Sequence, residues 1–204
     1  MRRSVSALIA GLAVSCTGGI SAQLTFTLDE PLFAAGSNAS DDFASYTTAG
    51  GPDVAIPLAG GAATFGDFIY TPMGSEADLG RLEIRAAGSS DPDTENSLFA
   101  FLDGDPDNFS FSIQAVGPMN SIGFDFTSAA SFGGAIVSFD NGESFSVEDQ
   151  LGSPGTGFLG IASVTPFSEV TFTVADSTSF EGLFIETIYA DVIPAPASAS
   201  LLAL

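Results

Sequence analysis

In Val170, Phe172 and Val174 every second side chain is apolar, and Thr171 and Thr173 between them are polar. That period of two belongs to a strand with one buried and one wet face, and a helix, which repeats every ~3.6 residues, cannot satisfy it. The surrounding stretch, Gly157 to Ala190, reads as three closely spaced strands. Phe158 and Ile161 precede the alternating run, and Leu183, Ile185 and Tyr189 follow it as further neighbours for one core.

The same period recurs in Leu24, Phe26 and Leu28, in Phe109, Phe111 and Ile113, and in Ile122, Phe124 and Phe126. Arg81 to Ala86 puts Leu82, Ile84 and Ala86 on one face against Arg81, Glu83 and Arg85 on the other, and Ala62 to Thr71 alternates more weakly through Phe65 and Ile69. Leu98 to Leu102 is short enough for a buried strand, and Ala135 to Phe139 is another. Between these runs lie Gly, Pro, Asp and Asn, at Gly36 to Asp42, Gly50 to Asp53, Gly88 to Asn96 and Asp103 to Asn108. Each of these residues favours a turn over a ladder. A first hairpin is expected to follow the turn-rich stretches Gly36 to Asp42 and Gly50 to Asp53, and Asp140-Asn141-Gly142-Glu143, leading into Phe145 and Val147, is the strongest hairpin signal. No amphipathic helix of about ten residues or more is legible after residue 22. About ten short strands joined by such turns predict an all-β fold, an antiparallel β-sandwich with jelly-roll or Greek-key connections.

The first 22 residues read differently: Arg2 and Arg3, an apolar run from Val5 to Val14, and small residues at Ile20-Ser21-Ala22 have the order of an export signal cleaved after Ala22. Residues 23–191 are then a single sandwich domain, and residues 192–204 the start of a C-terminal sorting or anchor segment. Cys16 is the only cysteine and would leave with the signal; the alternative is a lipid anchor on Cys16, because Leu12 to Cys16 loosely resembles a lipobox.

Removing residues 1–22 takes away two of four arginines and no acid, so the formal charge moves from −21 to −23, 25 acids less Arg81 and Arg85. Such a charge repels nucleic-acid phosphates and anionic lipid, so neither is an expected partner. The remaining chain has no Lys, His or Cys, which leaves Ser-His-Asp, Cys-His and Schiff-base mechanisms without a base or nucleophile, and Cys/His zinc sites without ligands. No enzyme activity is expected, although paired carboxylates remain available in principle.

The candidate metal ligands are Asp103, Asp105, Asp107 and Asn108, alternate oxygen donors on a Gly-Pro turn that could wrap Ca²⁺. A solvated acidic turn is the other reading of these residues, and Asp91, Asp93 and Glu95 form a weaker set of the same kind. Sugar platforms rely on exposed aromatics, and the chain offers no Trp and only Tyr46, Tyr70 and Tyr189.

From Ile122 onward the order IGFDF, FDNGESF, GFLGIAS, TPFSEVTFT, LFIETIYA resembles the β-sandwich domain of exported bacterial proteins that carry a PEP-CTERM sorting signal. Gly157 to Ile161 and Pro166 to Phe172 match two of that family's runs; Glu186 and Thr187 stand where Asp and Asn are usual in a third. In the tail, Pro194, Ala195 and Pro196 take the place of the sorting motif, with Ala195 where the family has Glu. The resemblance implies a non-catalytic cell-surface or extracellular-matrix protein, cut by a sorting enzyme after a transient membrane stage, with the gene continuing past Leu204 into an apolar run and a basic cluster. The alternative is a calcium-assisted module that binds surface polysaccharide.

If the acidic turn holds calcium, Ca²⁺ will raise the melting temperature of the purified protein by more than monovalent salt at matched ionic strength, and Asp105→Ala will remove the difference. Equal effects of the two salts, unchanged by that substitution, would leave the solvated turn.

Overall fold

The computed structural model describes residues 23–47, 51–56, 61–73, 80–87, 96–102, 108–128, 135–152, 156–175 and 182–194. The chain begins with β1 (Leu24–Thr27), α1 (Glu30–Gly36) and β2 (Ala39–Asp41), and continues through β3 (Val54–Ile56), β4 (Ala63–Phe65) and β5 (Phe68–Met73). Then come β6 (Gly80–Arg85), β7 (Ser97–Leu102), β8 (Asn108–Ser128), β9 (Ala135–Phe139) and β10 (Ser144–Ser146). A short α2 (Val147–Leu151), β11 (Gly157–Ala175) and β12 (Gly182–Val192) complete it. All the described strands join one antiparallel sheet.

Two strands are much longer than the rest, β8 with 21 residues and β11 with 19. The first half of β8 lies between β5 and the second half of β11, which carries β9 and β10 beyond it. The second half of β8 lies between β12 and the first half of β11, whose other edge takes β1. From β12 the sheet runs on to β2 and to β7, β6 and β3. One sheet therefore supplies both layers of an all-β sandwich, and the spatial order β9-β11-β8-β12-β7 interleaves distant parts of the sequence as Greek-key folds do. The inner faces meet through phenylalanine: the Phe172 ring is stacked on Phe111 at 5.0 Å within its layer and meets Phe124 of the opposite layer edge-on at 5.0 Å.

The bend between the layers is built from paired irregularities. Against Asn120 alone, β11 places residues 163–166; then, against Ser168 alone, β8 places residues 115–118. Each strand carries an exposed proline in its looped part, Pro166 and Pro118, where the missing amide donor breaks no ladder bond. Two of the three expected strands between Gly157 and Ala190 are thus one bent strand, and the alternating runs from Phe109 to Ile113 and from Ile122 to Phe126 likewise fuse into β8.

Strand parity corrects the expected core. Leu159 and Ile161 point inward, so Phe158 lies on the outer face; a register shift between Ile185 and Thr187 moves Ile188 inward and turns Tyr189 outward. β1 and β2 do not pair with each other: β1 pairs with β11 and β2 with β12. Ala62 to Thr71 is a hairpin, β4 to β5, turning at Gly66 (φ 56°). The Asn141-Gly142 hairpin forms as expected, while Val147 begins α2 instead of extending β10.

On the outer face Phe158 and Tyr189 are covered by α1. Asp29 caps that helix by accepting the Leu32 amide at 3.1 Å, and Pro31 sits in the first turn, where an amide donor has no partner anyway. Phe33 enters a notch floored by Gly160 of β11 and Gly123 of β8, which face each other across the ladder. A Cβ on Gly160 would stand 2.5 Å from the Phe33 ring, and one on Gly123 2.8 Å from it.

Gly160→Ala is accordingly expected to destabilise the protein by about 1–3 kcal/mol, the usual cost of overpacking. In a Phe33→Ala background that cost should fall by about half or more, because neighbouring substitutions couple. Additive losses in urea melts of the four chains would show that Phe33 does not fill the notch.

Candidate functional site

Where β8 and β11 bend, backbone groups leave the ladder and side chains from the β9–β10 turn receive them. Asp140 accepts the Ser168 amide through both oxygens, at 3.0 and 3.1 Å. Asn141 Nδ2 donates to the Thr165 carbonyl at 3.2 Å and to Glu143 Oε2 at 2.9 Å. Ser163 Oγ donates to Glu143 Oε2 at 2.9 Å and accepts the Thr165 amide at 3.1 Å. The DNGE turn is therefore a clamp on the TPFS corner: Asp140 and Asn141 hold its backbone, Glu143 Oε2 takes the Asn141 and Ser163 side chains, and Glu143 Oε1 is buried without a hydrogen-bond partner.

The second polar cluster lies at the other edge, where β2, the β4–β5 turn and β12 meet. Asp41 is buried and accepts the Phe43 amide at 3.0 Å and the Tyr70 phenol at 2.8 Å. Because β2 pairs with β12 and Tyr70 belongs to β5, this bond ties one layer to the other. Phe43 is buried at φ 58°, a conformation few non-glycine residues adopt, and Asp41 holds its amide there. Burial pushes the Asp41 carboxyl above the usual carboxylate range; the Phe43 and Tyr70 bonds draw it back, and the Asp42 charge adds to the rise. Burial and Asp41 raise Tyr70 well above the ordinary phenol range, and burial together with the charges of Asp41, Asp42 and Asp67 pushes Tyr46 up to about 12.

Beside this cluster is a shallow cleft of about 290 Å³ lined by Asn38, Ala39, Asp67, Val116 and Val192. Asn38 is already committed: its Nδ2 donates to the Val192 carbonyl at 2.8 Å and its Oδ1 accepts the Val192 amide at 2.8 Å. The three tyrosines are engaged too. Tyr70 is buried, the Tyr46 ring lies 4.5 Å from that of Phe65, and the Tyr189 phenol donates to Glu30 at 2.9 Å; burial, and after it this bond, pushes Tyr189 up to about 12.

Of the residues singled out in the sequence, Asp103, Asp105, Asp107, Asp91, Asp93 and Glu95 lie outside the described residues, as do Cys16, Ala22, Ala195 and Pro196. Asn108 opens β8 opposite Ala175, and Pro194 follows β12, exposed. Among the described residues no group of three His, Cys, Asp or Glu is placed to hold a metal ion. Asp41 is absent from the residues that the sequence points to, yet Asp-Asp-Phe after a short strand is the signature of a carboxylate turning back on the amide two residues ahead.

No family model matches the chain, and no curated protein is similar to it. Among solved structures, that of an exo-β-agarase is similar with a TM-score of 0.37 and 13% identity, over 62% of this chain and 23% of that one. The fold and its polar clusters define an acidic antiparallel sandwich whose carboxylates bind its own turns.

Asp41→Ala would strand the Tyr70 hydroxyl and the Phe43 amide together, at a cost of about 2–5 kcal/mol. The pH dependence has a definite sign. A carboxyl whose folded pKa is raised penalises the folded state when ionised, so the penalty is absent below the ordinary value of 3.8 and complete above the raised one. Asp41→Asn should therefore gain stability relative to the parent as pH rises through that window towards 7. A stability difference between the two that is flat with pH would contradict this.

Proposed function

We propose that this chain is an exported, non-catalytic component of a cell surface or extracellular matrix, sorted through its C-terminal segment. The observation that carries this reading is where the carboxylates go. Asp29, Asp41, Asp42, Asp53 and Asp140 each accept a backbone amide of the chain itself, at Leu32, Phe43, Ala44, Ala86 and Ser168. A carboxylate held by an amide is an architectural acceptor, and these serve turns and bends. The charge of the remaining acids favours a hydrated, mutually repelling surface, which suits a protein displayed in the open. The signal-like residues 1–22 and the Pro194-Ala195-Pro196 tail support the route, with a sorting enzyme as the partner it requires and calcium as the ion the Asp103–Asn108 turn would take. Polysaccharide binding is the rival role, and the committed tyrosines favour the structural one.

Expressed from its own gene in the source organism, the protein is expected in the surface or matrix fraction with Gln23 as its first residue by intact mass. Removing residues 195–204, which leaves β12 and the Val192 contacts to Asn38 intact, should shift it to the medium. Retention inside the cell with residues 1–22 attached, or a distribution indifferent to the tail, would overturn the proposal.

A further inference from the structure

We infer that residues 23–36 form an exchangeable arm, and that the outer face of β11 and β8 takes the same arm from a second copy of this chain. The inference rests on the reading above in one respect, that processing after Ala22 leaves the arm joined to the sandwich at one end.

The arm is a separable unit. Its last bonds are internal, the Ser37 amide to Ala34 at 3.2 Å and Ser37 Oγ to Phe33 at 3.0 Å. The next residue belongs to the sandwich, for the Asn38 amide donates to Ala190 at 3.0 Å and its side chain clasps Val192. The hinge is therefore the Ser37–Asn38 link. On the arm's side no residue of β1 or α1 is fully buried, so its release exposes partly covered groups only.

The seat, in contrast, is shaped for this arm. β1 completes the edge of β11 from Leu24↔Ser163 to Thr27↔Gly160, Phe26 meets Phe145 edge-on at 5.0 Å, and Phe33 fills the Gly123/Gly160 notch. Without the arm, β11 presents an open edge beside a ring-sized hollow over Gly123 and Gly160, walled by Phe158. An edge of that kind recruits a strand, and the strand that fits is the one encoded in every copy. The arm also carries Leu28 and Leu32, 65% and 66% exposed, two large aliphatic side chains that the closed chain leaves in water and that would lie at the junction between exchanging copies. Linked exchange from copy to copy gives a surface protein a way to assemble without any cysteine.

The chain from Gln23 has no cysteine of its own, so single thiols report cleanly. Thr25 and Ala162 are direct partners across β1 and β11. Purified Thr25→Cys and Ala162→Cys chains would be refolded together and treated with a short thiol crosslinker, with Ser144→Cys, exposed on β10, replacing Ala162→Cys as the control. A heterodimer is expected at about ten times the control yield, and its ratio to uncrosslinked chain should rise about tenfold with tenfold concentration, as exchange between copies competes with closure within one. A Thr25→Cys/Ala162→Cys chain that closes on itself, together with no excess of heterodimer over the control at any concentration, would overturn the inference. The measurement is made on purified protein that begins at Gln23, so its failure leaves the export reading standing, and the two failures are read in different experiments.

Discussion

Bending a ladder of backbone hydrogen bonds frees amides and carbonyls that must find partners elsewhere, and the rest of this structure depends on how that is met. β8 and β11 cross from one layer to the other together, each looping out where the other holds a single residue. Pro118 and Pro166 reduce the number of amides to be satisfied; Ser163 accepts the Thr165 amide and Asp140 the Ser168 amide, Asn141 donates to the Thr165 carbonyl, and the Asp67 carbonyl receives the Val116 amide at 3.1 Å. The bonds to the Ser168 amide and the Thr165 carbonyl lie at the exposed surface, so each contributes on the order of 1 kcal/mol at most. With two arginines in the chain from Gln23, acids acting as acceptors replace the ion pairs that a more balanced sequence would use.

The same bend organises the aromatic interior. Phe172 on one layer meets Phe124 and Phe126 on the other only because β8 supplies both Phe111 and Phe124 from a single strand on opposite sides of the corner. Core and clamp are thus two results of one irregularity. At the far edge, the Asp41 to Tyr70 bond closes the layers where no continuous strand crosses.

Much of this is legible in the residues, and the parts that are not share a cause. Alternation in Val170, Phe172 and their like is a local property, so strand identity and the all-β class can be read directly. Whether Ile113 and Ile122 belong to one strand depends on the partner strand bending at the same place, which no window of one sequence contains. Parity after a bulge is lost for the same reason, which is why the sequence pattern puts Phe158 and Tyr189 on the wrong face. α1 escapes notice because seven residues are too few to show a helical period, although Asp29 and Pro31 are its start signals. The layer-tying role of Asp41 requires Tyr70, distant in sequence and brought close only by the fold.

The placement of the tyrosines has an optical consequence. With no tryptophan in the chain, the longest-wavelength absorption, beyond that of the phenylalanines, comes from three phenols, and the structure puts each against a different contact. Tyr70 reports on the junction of the layers through the carboxylate bound to it, Tyr46 on the rim beside Phe65, and Tyr189 on the seat of α1 through Glu30. Departure of the helix would remove the Glu30 partner of Tyr189 and leave the Tyr70 and Tyr46 contacts in place, so the protein carries an unlabelled probe for the seating of α1.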